Sequence, residues 1–159
     1  MTVTSPTHYL AINSIPLATY GWELSVGETW PLLDMPQIRG SNRLIPGAAG
    51  MKPYLRRADE TRYVFPNFWV YGSVDEDNTP YSDPFEGLLT NIEYLRENVA
   101  LPKSTGDGTY AVVWTRPGAL DNLQSTCHVT AFEQKLITAS TALFTLEISV
   151  PSGTWTVVP

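Results

Sequence analysis

The chain contains little that supports covalent or metal chemistry, since its 159 residues include a single cysteine and two histidines. Cys127 alone excludes an internal disulfide framework and every zinc site built on paired thiolates. Neighbouring side chains on a strand point to opposite faces, so Cys127 and His128 do not form a catalytic dyad, and we expect Cys127 to be buried as a small hydrophobe. Asp75 to Asp77 lack the spacing of a calcium-binding loop, and the glycine motifs of nucleotide sites and hydrolases are missing. The sequence therefore predicts no enzyme, no metal site and no cofactor.

Charged residues are also scarce, at 16% of the chain against the usual value of about 25%. Sixteen acidic residues against ten lysines and arginines give a net charge of -6, which argues against a generic nucleic-acid binder. No segment approaches the roughly 18 apolar residues of a membrane span, and the first residues lack the pattern of a signal peptide. We therefore expect a soluble intracellular protein whose partners are proteins.

Threonine, proline and glycine are abundant, and their spread along the chain favours many short strands joined by irregular connections. Apolar residues alternate with polar ones from Phe144 to Val150, which is the strongest strand pattern in the chain. One helix is predicted over about 84–99, because Asp83 is a suitable N-cap, Pro84 occupies the first helical position and Glu86 completes a capping box. The prediction is one domain over residues 1–159 of the α+β class, mainly β: an antiparallel β-sandwich with one packed helix.

Three local patterns refine this prediction. Asn13 and Ser14 form a turn pair between two short apolar runs, which is typical of a hairpin. Pro66 interrupts an aromatic strand over 62–72, so that strand lies at an edge or contains a bulge. The helix is expected to bury one apolar face and to expose the other, with Asn91 on the exposed side. The apolar face consists of Phe85, Leu88, Leu89, Ile92, Leu95 and Val99.

The segment over about 31–62 differs from the rest of the chain in carrying four prolines, three glycines and six of the ten basic residues. Such a segment buries little apolar surface of its own, and long connections in compact domains are usually functional or disordered. We interpret it as a long projecting loop or hairpin. The alternative is a flexible loop with a solvated basic face.

The order of these features resembles the distal tail proteins of long-tailed bacteriophages. The resemblance rests on the turn at Asn13 to Leu17, the stretch IRGSNRLIPGAAG at Ile38 to Gly50, the stretch RRADETR at Arg56 to Arg62, and the helix that begins DPFEGLL after an acidic turn. It implies a phage tail-tube-like fold in which six copies close into a ring around a channel. It implies no cofactor and no catalytic residue.

The resemblance also implies that the long segment is an arm between subunits. The residues assigned to that interface are Arg39, Asn42, Arg43, Ile45, Pro46, Lys52, Arg56, Arg57, Asp59, Glu60 and Arg62. The implied partners are other copies of the chain, the tail tube protein and tail-tip or baseplate proteins. The resemblance further implies a channel that admits DNA without specific binding, and it implies no membrane partner.

The chain departs from the family in one respect, because many distal tail proteins carry a second, carbohydrate-binding-like domain for which 159 residues leave no space. Two alternatives therefore stay open. One is another ring component of the same fold, namely a tail tube, tail terminator or minor tail protein. The other belongs to a different class, a monomeric carbohydrate-binding module that stacks sugars on its tryptophans and tyrosines.

Overall fold

Ten strands and one α-helix make up the regular structure of the described residues. The structure is a computed structural model that describes residues 9–24, 38–44, 51–58, 60–102, 104–116 and 121–158. The strands are β1 (Tyr9–Ile12), β2 (Ile15–Pro16), β3 (Trp22–Leu24), β4 (Ile38–Leu44), β5 (Met51–Ala58), β6 (Thr61–Tyr71), β7 (Tyr110–Thr115), β8 (Leu123–Ile137), β9 (Thr141–Val150) and β10 (Thr156–Val157). Helix α1 spans Pro84–Leu95 and continues into a π-helical turn, Arg96–Ala100. This content confirms the predicted mainly-β α+β class.

Eight of the strands form one curled antiparallel sheet in the order β2-β1-β7-β8-β9-β6-β3, with β10 paired to β8. The long strand β8 belongs to both halves of this sheet. Its residues up to Cys127 pair with β7, and from His128 onwards it pairs with β9. The two packed sheets that the sequence predicts are therefore two halves of one continuous curled sheet. Strand β8 runs through both halves and joins them.

The two ends of the curled sheet meet at Leu17. The backbone N–H of Leu17 donates to the carbonyl oxygen of Leu10 on β1, and the N–H of Leu24 on β3 donates to the carbonyl oxygen of Leu17, both at 2.8 Å. These bonds satisfy backbone groups at the ends of the sheet, where an open edge would recruit another chain. The main sheet therefore offers little free edge at this seam.

The core lies inside the curl and is supplied mainly by the central strands. In β9 the residues at alternate positions from Phe144 to Val150 are buried, as the alternation predicts. In β6 the aromatic side chains of Tyr63, Phe65 and Phe68 are buried. The register with β9 shifts between Phe65 and Phe68, on either side of Pro66. Since β6 pairs with strands on both sides, the proline marks a bulge and not an edge strand.

The predicted hairpin turn is confirmed at Asn13 and Ser14, whose φ angles are 54° and 62°. Two successive positive φ values are typical of the turns that match the twist of a two-residue hairpin. The side-chain amide of Asn13 also donates to the carbonyl oxygen of Asn98 at 3.0 Å. The turn thus ties β1 and β2 to the π-helical turn that follows α1.

Helix α1 begins where the sequence predicts, but its buried face is rotated from the predicted one. Asp83 caps it by accepting a hydrogen bond from the N–H of Phe85 at 2.9 Å. Gly87, Leu88, Asn91 and Leu95 form the buried face, whereas Phe85 and Leu89, predicted to lie in the core, are exposed.

The prediction that Asn91 faces solvent is wrong, because this residue is only 3% exposed. Its side-chain NH₂ donates to the carbonyl oxygens of Tyr71 at 2.7 Å and Val74 at 3.0 Å, and its Oδ1 accepts from the hydroxyl of Tyr81 at 3.0 Å. The backbone beyond β6 turns away from the sheet, so its carbonyl groups need donors from elsewhere. The side-chain amide of Asn91 donates to these carbonyl groups, whereas an apolar residue at this position would not.

Candidate assembly surface

Strands β4 and β5 form a sheet of their own within the part of the chain that the structure describes. They pair antiparallel with each other from Ile38 opposite Ala58 to Leu44 opposite Met51, and neither pairs with another described strand. The sequence predicts either a loop or a hairpin over about 31–62. Residues 38–44 and 51–58 of this segment pair as the two strands of a hairpin. A two-stranded hairpin is at best marginally stable in water, so a stable one needs a surface to cover it.

The register of the hairpin places basic residues directly opposite one another. Arg39 lies opposite Arg57, and Arg43 lies opposite Lys52. Like charges at directly opposite positions destabilise a strand pair, by an amount similar to the roughly 0.2–1 kcal/mol that a favourable pair contributes. The hairpin thus sets basic positions opposite each other twice, and its strands contain no acidic residue.

The hairpin strands carry charge of one sign only. Along β4, Arg39, Ser41 and Arg43 occupy alternate positions and therefore share one face. On β5, Arg56 and Arg57 are neighbours, and Arg56 lies within the register shift between Arg57 and Tyr54. A register shift follows Arg39, and the strands together carry five of the ten basic residues and no acidic residue. The charged positions of the two hairpin strands are thus all basic.

The structure separates the predicted interface residues into three groups. Arg39, Asn42, Arg43, Lys52, Arg56 and Arg57 lie on the hairpin strands. Ile45, Pro46 and Asp59 lie outside the described residues. Glu60 and Arg62 lie beside or on β6, so the arm predicted to extend to residue 62 ends before Thr61.

Both of these last residues contact their own chain. Glu60 accepts a hydrogen bond from the hydroxyl of Ser149, which is fully buried. A guanidinium nitrogen of Arg62 lies 3.7 Å from a carboxylate oxygen of Glu147 on β9. These contacts hold the start of β6 against β9, and the role of the two residues in a subunit interface stays a prediction.

A second charged surface, which the sequence analysis did not single out, lies on α1 and the turn before it. Residues 75–97 contain seven of the sixteen acidic residues and one basic residue, Arg96. Asp75 stabilises the turn by accepting hydrogen bonds from the N–H groups of Asp77 and Thr79. Burial, and then the nearby carboxylates of Glu76 and Asp77, raise the pKa of the Tyr94 hydroxyl. The charge pattern of the sequence could have revealed this surface, since the basic hairpin and the acidic helix segment are both continuous in the chain.

The pockets beside the loop that precedes β7 are small for a ligand-binding site. Two pockets of about 190 and 320 Å³ flank the loop before β7, and both include Tyr110 in their lining. Ligand pockets usually have volumes of about 300–1,000 Å³, so these lie at or below the lower end of the range. Hydrogen bonds from Thr109 lower the pKa of Asp107, which lines the smaller pocket. Among the described residues, no group of three or more histidine, cysteine or carboxylate side chains is placed to hold a metal ion.

Cys127 and the aromatic residues have structural positions. Cys127 is fully buried, as predicted, and burial raises the pKa of its thiol to about 12. Trp22 is buried and stacks on Tyr94 with ring centroids 5.7 Å apart, and Trp155 is half-buried against Tyr63 and Trp114. These rings therefore pack against one another and do not form an open platform. No helix in the described ranges combines the length and the apolar character that crossing a bilayer requires.

The fold is similar to that of a solved phage protein. The structure of the Dit protein of phage SPP1, a hub protein of the adsorption apparatus in phages that infect Gram-positive bacteria, matches with a TM-score of 0.50 and 11% sequence identity. The match covers 91% of this chain and 49% of the Dit chain, so the present chain spans about half the length of that protein. No protein-family model matches the chain, and no curated protein sequence does. At this identity the likeness shows a shared fold.

Proposed function

We propose that the chain is a structural component of a long-tailed phage, which forms a hexameric ring at the distal end of the tail. The ring joins the tail tube to the tip or baseplate and surrounds the DNA channel. The observation that carries this proposal is the likeness in fold to a phage hub protein over 91% of the chain. Because a shared fold does not specify a position in the tail, another ring component of the same fold is the second candidate. The chain is then located in the virion tail, and in the host cytoplasm before assembly.

The β4–β5 hairpin supports assembly through a heterologous interface. In a ring of identical subunits, one surface of each copy contacts a different surface of the next copy. The hairpin suits the first of these surfaces, since it pairs with no other described strand and places like charges opposite each other. Arginine at these positions also suits an interface, because a planar guanidinium makes paired hydrogen bonds to a carboxylate that lysine does not.

The net charge of -6 fits a ring through which DNA passes. A channel lined by acidic groups repels phosphates, whereas a basic lining would bind them. With five basic residues on the hairpin strands, the remaining residues carry sixteen acidic groups against five basic ones. A channel face that is net positive in a structure of the assembled ring would contradict this part of the proposal.

The test of the proposal is native mass spectrometry of the purified chain, alone and mixed with tail tube and tail-tip proteins, followed by negative-stain imaging. We expect a hexamer, or a stack of two hexamers, with a central hole. A chain that stays monomeric in every mixture contradicts the ring, and titration with cell-wall oligosaccharides then tests a carbohydrate-binding module.

The matched variants for this experiment are Arg57→Glu and Lys135→Glu, which change the net charge equally. Arg57→Glu places opposite charges across the hairpin at Arg39 and therefore stabilises the strand pair itself. We expect this variant to fold and to lose the ring, and we expect Lys135→Glu on β8 to retain it. A ring that forms equally well with Arg57→Glu would remove the hairpin from the interface.

A further inference from the structure

The exposed face of α1 combines apolar and acidic side chains. Phe85 and Leu89 are 45% and 42% exposed and lie one helical turn apart. Glu86 and Glu93 are exposed on the same side, because positions three and four apart on a helix are neighbours. Two large apolar side chains left in solvent beside carboxylates form a surface suited to a partner that is basic and carries some apolar area.

The acidic groups on this face have no ion-pair partner among the described residues. Within the part of the chain that the structure describes, none of Glu86, Glu93 and Glu97 forms an ion pair. Glu93 and Glu97 are like charges four residues apart, an arrangement that destabilises a helix. The helix segment is thus predominantly acidic, whereas the hairpin strands contain only basic charged residues.

We infer that the exposed face of α1 in one copy binds the basic β4–β5 hairpin of a second copy. This inference rests on the proposed function and names the surface that receives the arm. The contact places Arg39 and Arg43, with their partners across the hairpin, beside Glu86 and Glu93. The basic residues of the hairpin and the acidic residues of α1 then lie beside charges of the opposite sign.

A second copy is the occupant that the charges favour. The hairpin strands carry five basic residues and no acidic one, and residues 75–97 carry seven acidic residues and one basic one. Both surfaces belong to every copy, so they are present in equal numbers in any assembly. Because they are different surfaces, pairing them between copies generates the head-to-tail contact that a cyclic ring requires.

Site-directed cross-linking tests this contact. Ser41→Cys introduces a thiol on β4 midway between Arg39 and Arg43, and Thr90→Cys introduces one on the exposed side of α1. The native Cys127 is buried and does not compete. The two variants are mixed as chains of different mass and treated with a short bismaleimide. We expect a mixed dimer in excess, on the order of tenfold, over the yield from Ser41→Cys mixed with Thr126→Cys, an exposed control on β8. Equal yields would overturn the inference.

Charge reversal provides the second arm of the test. Glu93→Lys with Glu97→Lys, introduced into the Thr90→Cys chain, should lower the mixed-dimer yield about tenfold. The helix should be retained, because the changes exchange one like-charge pair for another and place cations near the helix C-terminus, where the helix dipole favours them. Asp121→Lys with Glu133→Lys changes the net charge equally on exposed positions outside α1 and should leave the yield within about twofold.

Restoration of the contact is the most specific readout. Glutamate at all four paired basic positions of the Ser41→Cys chain, namely Arg39→Glu, Arg43→Glu, Lys52→Glu and Arg57→Glu, should recover most of the yield lost through the reversed helix, since attraction returns with opposite signs. No recovery, or an equal loss in the Asp121→Lys, Glu133→Lys control, would overturn the inference. Failure here is distinguishable from failure of the proposed function. If native mass spectrometry shows rings but the cross-links are not specific, the ring is supported and this contact is contradicted. If the cross-links are specific but no sixfold ring forms, the contact is supported and the ring is contradicted.

Discussion

Replacement of Gly87 by alanine should destabilise the protein, although the same change stabilises most helices. Gly87 lies on the buried face of α1, where the helix passes close to the end of β6. A Cβ atom at this position would lie 2.3 Å from the carbonyl oxygen of Gly72 and 2.4 Å from a ring carbon of Tyr81. Both distances are far shorter than van der Waals contact. The absence of a side chain therefore permits the close approach of helix and sheet.

The size of the effect follows from two opposing contributions. Alanine is favoured over glycine within a helix by about 1 kcal/mol. Forcing extra atoms into a packed interior costs about 1–3 kcal/mol, and the Gly72 oxygen belongs to the backbone and cannot rotate away as a side chain would. We expect the cost to exceed the gain, with a net loss of about 1–2 kcal/mol. For a chain of this size such a loss lowers Tm by about 2–8 °C.

Urea unfolding followed by tryptophan fluorescence measures this loss, at a protein concentration where the chain is monomeric, because assembly adds stability of its own. The matched control is Thr90→Ala, an exposed position on the same helix whose replacement should change the free energy of unfolding by less than about 0.5 kcal/mol. If Gly87→Ala is as stable as the wild type or more so, the helix does not pack against Gly72 and the orientation of its exposed face is incorrect.

Three further predictions concern single residues. Asn91→Leu should lower the free energy of unfolding by about 2–4 kcal/mol in chemical denaturation, since it leaves the carbonyl oxygens of Tyr71 and Val74 buried without a donor; a loss below 1 kcal/mol would contradict the observed hydrogen bonds. Ser14→Gly should raise Tm slightly, because its φ of 62° is unfavourable for serine and costs glycine nothing; a lower Tm would exclude this turn. Burial raises the pKa of the Cys127 thiol from about 9 to about 12, so the stability that the neutral thiol contributes is complete below pH 9 and falls as the pH rises towards 12. Unfolding titrations from pH 8 to 11 should show this fall in the wild type and less of it in Cys127→Ala, and identical pH profiles would contradict it.

Much of the local structure could be predicted because it depends on patterns within a few residues. The period of two from Phe144 to Val150 predicts β9, and Pro66 predicts the bulge in β6, since proline lacks the N–H that a regular strand pair uses. The start of α1 follows from Asp83 and Pro84, which suit an N-cap and a first helical position. Each of these features is a property of the backbone or of a short stretch of side chains.

The buried face of α1 could not be predicted in the same way. Helical periodicity identifies one broad apolar face here, with Leu88 and Leu95 towards one edge and Phe85 and Leu89 towards the other, and it does not say which edge meets the sheet. The choice depends on the carbonyl groups beyond β6, which require the amide of Asn91, and on the space that Gly87 leaves for Gly72. Both requirements come from residues outside the helix.

The candidate assembly surface could likewise be predicted only in part from the sequence. The sequence predicts that residues 31–62 carry an excess of basic residues in a segment with little core of its own, because composition alone determines that charge. The register of the hairpin decides that Arg39 lies opposite Arg57 and Arg43 opposite Lys52, and pairing between separate strands is not encoded in either strand alone.

The amino-acid sequence by itself determined the class of the fold, the turns, the helix start and the positions of charge along the chain. Only the tertiary structure decided that β8 joins the two halves of one curled sheet, that α1 leaves Phe85 and Leu89 in solvent, and that the hairpin pairs like charges. The physical reason is the range of the interactions. Dihedral preferences and hydrophobic alternation act within a few residues, whereas strand register and the choice of a buried helix face depend on contacts between residues far apart in the chain.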